Sequence, residues 1–131
     1  MQFTSSVISG SGRGKALGVP TFNLDLGMVP KELEEGVYAV RALLKHPSVG
    51  AKNSPATMHY GPRPTFGDTM SCEIHILEVL GDRFEVLDNM TIEVVAKLRD
   101  IQKFETAVEL KKQMAQDGKK AAQILALPPK T

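Results

Sequence analysis

Short segments in which apolar and polar residues alternate make up much of this chain, and they constrain its fold more than any other feature. In the segment SCEIHILEVL, the side chains of Cys72, Ile74 and Ile76 would all lie on one side of a strand. Those of Glu73 and His75 would lie on the other side. Such alternation is typical of strands that bury one face and leave the other polar. The sequence therefore predicts a domain built mainly from short β-strands.

The spacing of the apolar residues changes after residue 99, from the two-residue alternation of a strand to the three- and four-residue spacing of a helix. Thr106 and Glu109 have the spacing of a capping box, which predicts a helix over about residues 105–125. One face of this helix carries apolar residues at helical spacing, namely Leu110, Met114, Ala121, Ile124 and Leu125. The segments predicted as strands are residues 2–8, 36–44, 56–60, 71–80 and 89–99. The segment HPSVGAKNSP between two of them has the composition of a loop.

A chain of 131 residues is long enough for one compact domain, and we expect residues 1–131 to form a single one. Short antiparallel strands either pack as two layers or close on themselves as a barrel. We favour a mainly β fold, with a small barrel over about residues 2–99 and the terminal helix covering one side of it. Periodicity alone does not distinguish this barrel from a sandwich.

Composition excludes several classes of protein. The net charge of +1 provides no overall field that would attract nucleic acid. A single cysteine, Cys72, excludes an internal disulfide and a multi-cysteine zinc site, and it fits a reducing compartment. No apolar run approaches the ~20 residues of a membrane span, and the N-terminus lacks the pattern of a signal peptide. We therefore expect a cytoplasmic protein that binds neither nucleic acid nor a membrane.

The glycine-rich segment SGSGRGKALGVPTFNL has the composition of a phosphate-binding loop. It does not match a Walker A loop, because Gly10 and Gly14 enclose three residues instead of four. The dinucleotide-binding pattern also fails, since the glycine spacing differs and no helix pattern follows. Glycines still let backbone N–H groups converge on an anion, and Arg13 and Lys15 add positive charge. The alternative is an ordinary turn, and composition alone leaves both interpretations open.

Thr21 and Asn23 follow this loop and are two residues apart, so on an extended chain they point to the same side. A hydroxyl and an amide carbonyl are hard oxygen ligands, which suit Mg²⁺ shared with the phosphates of a nucleotide. Both side chains also commonly form hydrogen bonds within turns. The residue types by themselves do not decide between these two roles.

Five segments in order resemble motifs of the riboflavin kinase family. GSGRGKALGVPTFNL resembles its glycine-rich loop and Pro-Thr-Ala-Asn motif, and EEGVYAVRAL its Gly-Val-Tyr-Ala strand. YGPRPTFG is similar to its Gly-x-Arg/Asn-Pro-Thr-Phe loop, and CEIHILE to its Glu-x-His strand. KLRDIQKFETAVELKKQMAQD resembles its Leu-Arg-x-x-x-x-Phe segment and closing helix. The resemblance spans residues 9 to about 121, which is nearly the whole chain.

The resemblance implies a closed six-stranded antiparallel Greek-key barrel with a C-terminal helix. It also implies the reaction ATP + riboflavin → FMN + ADP, with Mg²⁺ or another divalent cation. By motif, Thr21 and Asn23 would hold the metal, and Glu73 would be the catalytic carboxylate. Arg99 and Phe104 would bind the flavin. The residues implied at the nucleotide are Gly10, Gly12, Arg13, Gly14, Lys15 and Thr21.

Two further side chains are assigned supporting roles. His75 shares the strand face of Glu73, where it would orient either that carboxylate or the substrate. Arg63 is held between two prolines, where it would contact phosphate or pair with Asp68. The expected partners are riboflavin or FMN and ATP or ADP, and we expect a monomer.

The chain departs from the family pattern in several places. Phe22 replaces the usual alanine of Pro-Thr-Ala-Asn, which would put bulk beside the metal site. YGPRPTF lacks the usual Asn-Ile-Gly lead, and GDRFEVLDNM lacks the Tyr-Gly turn beside the flavin. The adenylyltransferase domain fused to many bacterial members is absent from this sequence, so FAD synthesis is not expected. These departures keep a second hypothesis open, a flavin- or nucleotide-binding barrel that has lost catalysis and has a regulatory role.

A third hypothesis is an oligonucleotide-binding barrel. That function needs aromatic stacking platforms and a basic groove. Aromatic residues make up 5% of the chain, and its charge is nearly neutral, so composition argues against it.

Overall fold

The computed structural model describes residues 1–10, 21–46, 50–62, 69–77 and 89–126, which form six strands, one short 3-10 helix and one α-helix. The strands are β1 Gln2–Gly10, β2 Thr21–Leu24, β3 Gly36–His46, β4 Gly50–Pro62, β5 Met70–Ile76 and β6 Asn89–Arg99. The 3-10 helix is Leu26–Met28, and the α-helix, α1, is Ala107–Leu125. No helix among the described residues is long and apolar enough to cross a membrane.

The six strands close into a barrel in the order β1-β2-β5-β4-β3-β6, and every neighbouring pair is antiparallel. The consecutive strands β3, β4 and β5 form a meander, and β6 returns to lie beside β3, which is a Greek-key arrangement. The prediction of a closed antiparallel barrel with a terminal helix is confirmed. A sandwich is excluded because β6 also pairs with β1 and leaves no open edge.

The alternating residues of β5 lie where the pattern predicts. Cys72, Ile74 and Ile76 are buried inside the barrel, where Met58 from β4 and Ile92 from β6 pack with them. Burial raises the pKa of the Cys72 thiol to about 12, so it stays protonated and unreactive in the folded chain. Each aliphatic side chain removed from water here contributes roughly 1.5–3 kcal/mol to folding.

Strand β4 is longer than the sequence predicts. It begins at Gly50, so part of the segment interpreted as a loop is paired with β3. Pro55 lies within it although it has no N–H group to donate. Its carbonyl accepts a hydrogen bond of 3.0 Å from the backbone N–H of Leu77, so the position still contributes to strand pairing.

Helix α1 begins with the predicted cap. The Thr106 hydroxyl accepts a hydrogen bond of 3.1 Å from the backbone N–H of Glu109. The Glu109 carboxylate in turn accepts one from the backbone N–H of Glu105, one residue before the capping position. This arrangement satisfies N–H groups that the first turn of a helix leaves without a partner.

The buried face of α1 differs from the predicted stripe at two positions. Leu110, Ala121 and Leu125 are buried, and the last two pack on Val37, Ala39 and Leu98 of the barrel's outer surface. Ile124 is 40% exposed, so its inclusion in the buried stripe was wrong. The buried face instead includes Asp117. This residue lies seven positions after Leu110 and four before Ala121, which are spacings that share one face of a helix.

Replacing Gly118 by alanine is expected to stabilise the protein by up to about 1 kcal/mol, because alanine has the higher helix propensity. The added Cβ would lie 3.4 Å from Cδ2 of Leu77, an ordinary contact distance. Urea denaturation measures the change, and Ala122→Gly on the exposed side of α1 calibrates the same propensity difference in the opposite direction. A loss of stability in Gly118→Ala would show that Leu77 cannot accommodate the methyl group.

Candidate active site on the outer face of the barrel

Polar side chains from neighbouring strands meet on the outer face of the barrel. Asn23 on β2 lies directly opposite Glu73 on β5, and His59 on β4 lies opposite Glu73 on its other side. Two residues further along each strand, Thr21 lies opposite His75. These residues face outward because their neighbours in β2 and β5 fill the barrel interior. The pairing of β2 with β5 therefore brings Thr21, Asn23 and Glu73 together, although they are far apart in sequence.

The distance between Thr21 and His75 is that of a hydrogen bond. Thr21 Oγ1 lies 3.1 Å from His75 Nδ1, across 54 residues of sequence. Thr21 is buried and His75 is half-buried. The bond joins a predicted metal ligand to a predicted supporting residue.

A cavity of about 290 Å³ lies between this outer face and helix α1. Its barrel wall combines the polar residues Thr57, His59, Glu73 and His75 with the apolar residues Val37, Ile76 and Leu77. Its helix wall is largely apolar and includes Leu110, Met114 and Ala115. Glu73 is 2% exposed, so its carboxylate is placed in a region largely shielded from solvent. A cavity lined by apolar side chains and a few convergent polar groups is typical of a small-molecule site.

Arg99 and Asp117 form a bidentate ion pair at another part of the cavity wall. The guanidinium donates from Nε and one terminal nitrogen to the two carboxylate oxygens of Asp117, at 2.9 and 2.8 Å. Gln113 donates a further hydrogen bond of 3.0 Å to the same carboxylate. Both charged side chains are largely buried, with 19% and 8% of their surfaces exposed. The pair links β6 to the middle of α1.

Phe104 lies beside Arg99, with the guanidinium carbon 5.9 Å from the centre of the ring. This distance is within the range of a cation–π contact. The two residues that the sequence assigns to the flavin are therefore neighbours in the structure. Their roles in binding stay predictions.

The backbone of Gly10 pairs with Phe22 at the start of β2, so the beginning of the glycine-rich segment lies next to the metal-ligand candidates. Apart from Gly10 and Thr21, the residues predicted at the nucleotide lie outside the described residues, as does Arg63; they are Gly12, Arg13, Gly14 and Lys15.

The expectation that Phe22 crowds the metal site was wrong. Its side chain is buried in the barrel interior with Ile74 and Met58, whereas Thr21 and Asn23 face outward. The alternation of strand β2 places the bulk of the aromatic ring on the opposite side of the backbone from the site. The departure from the family's alanine is therefore a change in core packing.

Several residues of the cavity wall were not identified from the sequence, among them His59 and Asp117. The position of His59 opposite Glu73 depends on the pairing of β4 with β5, which the sequence alone does not give. Asp117 interrupts the apolar stripe of α1, and a charged residue in such a stripe is a signal for a buried partner. The sequence does not identify Arg99 as that partner.

Thr21 and Asn23 offer oxygen atoms that fit a hard divalent cation. Across the described ranges, no three side chains of His, Cys, Asp or Glu gather closely enough to hold a metal ion. Mg²⁺ bound with a nucleotide usually takes only a few protein ligands and completes its coordination with water and phosphate oxygens.

The fold and the site together define the class of protein. It is a small closed barrel with a terminal helix, and a cavity of the size of a small molecule lies between the helix and the outer face of the barrel. The chain belongs to the flavokinase family, because the family model described as riboflavin kinase matches residues 1–125.

Curated relatives agree with this family. The chain is 34% identical over 124 residues to the bifunctional riboflavin kinase/FMN adenylyltransferase of Escherichia coli strain K12, a match that covers 92% of this chain and 37% of the relative. The protein of the same description from Shigella flexneri gives the same values. The chain thus spans little more than a third of the length of these relatives.

A solved structure described as a macrolide-efflux protein from Streptococcus pneumoniae has the same fold. Its TM-score is 0.65 at 22% identity, and the match covers 90% of this chain and 37% of that chain.

Proposed function

We propose that this chain is a riboflavin kinase that transfers the γ-phosphoryl group of ATP to the 5′-hydroxyl of riboflavin, giving FMN and ADP. The observation that carries the proposal is the position of Asn23 on β2 directly opposite Glu73 on β5. Thr21 lies two residues from Asn23 on β2. Family membership and the curated relatives support the same reaction. We further propose that residues 1–131 act as a single domain, as a monomer in the cytoplasm.

The isoalloxazine ring of riboflavin would lie in the cavity beneath α1. The apolar helix wall at Leu110 and Met114 offers a surface for the ring. Arg99 and Phe104 would contact the flavin at the part of the wall where β6 meets the helix. In this arrangement the ribityl chain extends toward Glu73, so its terminal hydroxyl reaches the polar row on β5.

Glu73 would act as the general base. The ribityl oxygen attacks the γ-phosphorus as the bond from that phosphorus to the bridging oxygen of ADP breaks. The hydroxyl proton becomes acidic only as the new bond forms, so a carboxylate held within hydrogen-bond distance can accept it late in the step. Placement on a paired strand of a closed barrel holds the carboxylate in position for this transfer.

Thr21 and Asn23 would hold the divalent cation through their side-chain oxygens. When bound, the cation neutralises charge on the phosphates during transfer. The glycine-rich segment, with Gly10, Gly12, Arg13, Gly14 and Lys15, would bind the phosphates of ATP. That assignment remains a prediction from sequence, since only Gly10 belongs to the described residues.

The test is incubation of the chain with riboflavin, ATP and Mg²⁺, followed by chromatography for FMN and ADP. We expect the two products in equal amounts, and no FMN when a chelator removes the metal. Riboflavin lacking the 5′-hydroxyl should bind but yield no phosphorylated product. Binding of riboflavin without FMN formation under any metal condition would contradict the proposal and favour a binding barrel.

A further inference from the structure

We propose that His75 is a positioning residue for the metal site. Its imidazole accepts a hydrogen bond at Nδ1 from the Thr21 hydroxyl, which leaves the lone pairs of Thr21 Oγ1 available to the cation. The inference rests on the proposed function, because it takes Thr21 as a metal ligand.

The geometry of the pair carries the inference. Thr21 and His75 are directly opposite on β2 and β5, and Oγ1 lies 3.1 Å from Nδ1. Thr21 is only 6% exposed, so its hydroxyl has restricted access to water as an alternative partner. A β-branched threonine on a strand also has few accessible rotamers, which keeps its oxygen close to the imidazole.

The direction of this hydrogen bond determines what the hydroxyl can do. A hydroxyl has one hydrogen and two lone pairs, and a neutral imidazole has one nitrogen that donates and one that accepts. A cation attracts the lone pairs and repels the hydrogen, so a metal-binding hydroxyl needs an acceptor for its hydrogen. His75 provides that acceptor when its own proton is on Nε2.

The opposite tautomer would have the opposite effect. With the proton on Nδ1, the imidazole would donate to Thr21 Oγ1 and occupy one lone pair. The hydroxyl hydrogen of Thr21 would then be free to point toward the cation. Partners of metal ligands typically orient the ligand and raise its basicity, and their loss costs about 10- to 100-fold in metal affinity or activity.

The tautomer is measured directly by long-range ¹H–¹⁵N NMR of the full chain with saturating Mg²⁺·ADP. The sample is kept near pH 8, above the ordinary histidine pKa of about 6.5. The variant His75→Gln identifies the signals of His75 by their disappearance. We expect the Nδ1 resonance at the frequency of an unprotonated ring nitrogen and Nε2 at that of a protonated one. A protonated Nδ1 would overturn the inference.

Two substitutions at His75 distinguish loss of the acceptor at Nδ1, which orients the Thr21 hydroxyl, from loss of the imidazole ring itself. An asparagine can place a side-chain oxygen near the position of Nδ1, whereas a glutamine places its polar atoms near the position of Nε2. Calorimetric titration with Mn²⁺·ADP should show about 10-fold weaker binding for His75→Gln. His75→Asn should lose at most a few-fold. Equal loss in both variants, or none in either, would contradict the inference.

Two further variants separate this inference from the proposed function. Thr4→Val is the matched control, since it removes a hydroxyl–hydroxyl bond of 2.9 Å to Thr91 between β1 and β6, and Mn²⁺·ADP binding should not change. Thr21→Val should weaken binding at least as much as His75→Gln. If Thr21→Val weakens binding and His75→Gln does not, only the inference fails. If Thr21→Val has no effect, the metal assignment fails as well.

Discussion

Replacing Glu73 by glutamine is expected to lower kcat for FMN formation by about 100- to 10,000-fold, the usual contribution of a positioned general base. Glutamine has nearly the same shape but cannot accept the ribityl hydroxyl proton as a carboxylate does. The side chain is 2% exposed, so water has little access to replace it. Because the substitution keeps the shape of the cavity wall, the KM for riboflavin should change by only a few-fold. Steady-state kinetics at saturating ATP and Mg²⁺ measure both values.

The variant Glu73→Asp is the matched control for this experiment. It retains a carboxylate but withdraws it by one methylene group, so its kcat should fall between those of the native chain and Glu73→Gln. Circular dichroism and riboflavin binding verify that both variants are folded. A kcat for Glu73→Gln within a few-fold of the native value would show that Glu73 is not the base.

Replacing Asp117 by asparagine is expected to lower the free energy of unfolding by about 3 kcal/mol, a typical loss when one partner of a buried ion pair is removed. The substitution leaves the Arg99 guanidinium largely buried against a neutral amide. Arg99 now pairs with both carboxylate oxygens of Asp117, and Gln113 donates to the same group. Urea denaturation followed by circular dichroism measures the change.

An exposed ion pair provides the matched control. Arg41 and Glu93 on the outer surface of β3 and β6 are 2.8 Å apart, with 31% and 50% of their side chains exposed. Glu93→Gln should cost less than about 1 kcal/mol, since exposed pairs contribute little. Equal losses in Asp117→Asn and Glu93→Gln would contradict the account of a buried link between helix and barrel. The KM for riboflavin should also rise in Asp117→Asn alone, because Arg99 loses the group that orients it.

Local pattern was enough to predict the helix and five of the six strands, but the short strand β2, Thr21–Leu24, was not among the predicted strands. The alternation around Cys72 and Ile74 correctly assigned their side chains to the interior, and the Thr106 cap correctly marked the start of α1. Closure into a barrel depends on the pairing of β6 with β1, at opposite ends of the strand series. Periodicity carries no information on such long-range pairing, so the pattern favoured a small barrel without distinguishing it from a sandwich, and the family resemblance implied six-stranded closure.

The site was predicted in part for the same reason. The two-residue spacing of Thr21 and Asn23 indicates a shared side of the chain, but their position beside Glu73 depends on the register of β2 against β5. The burial of Phe22 follows from the same alternation, although its bulk was expected at the site. The ion pair of Asp117 could not be predicted, because the hydrophobic pattern of a helix does not indicate which residue pairs with a buried charge.

The central claim is that the metal and nucleotide bind where Thr21, Asn23 and Glu73 meet on the outer face of the barrel. The most direct measurement is NMR of the ¹⁵N-labelled chain during titration with Mn²⁺·ADP, since the paramagnetic ion broadens nearby amide signals. We predict the strongest broadening at residues 21–23 and 73–75, with Thr91 least affected because β6 is three strands from β5 in either direction round the barrel. Strong broadening at Thr91 with sharp signals at Thr21 and Glu73 would contradict the claim.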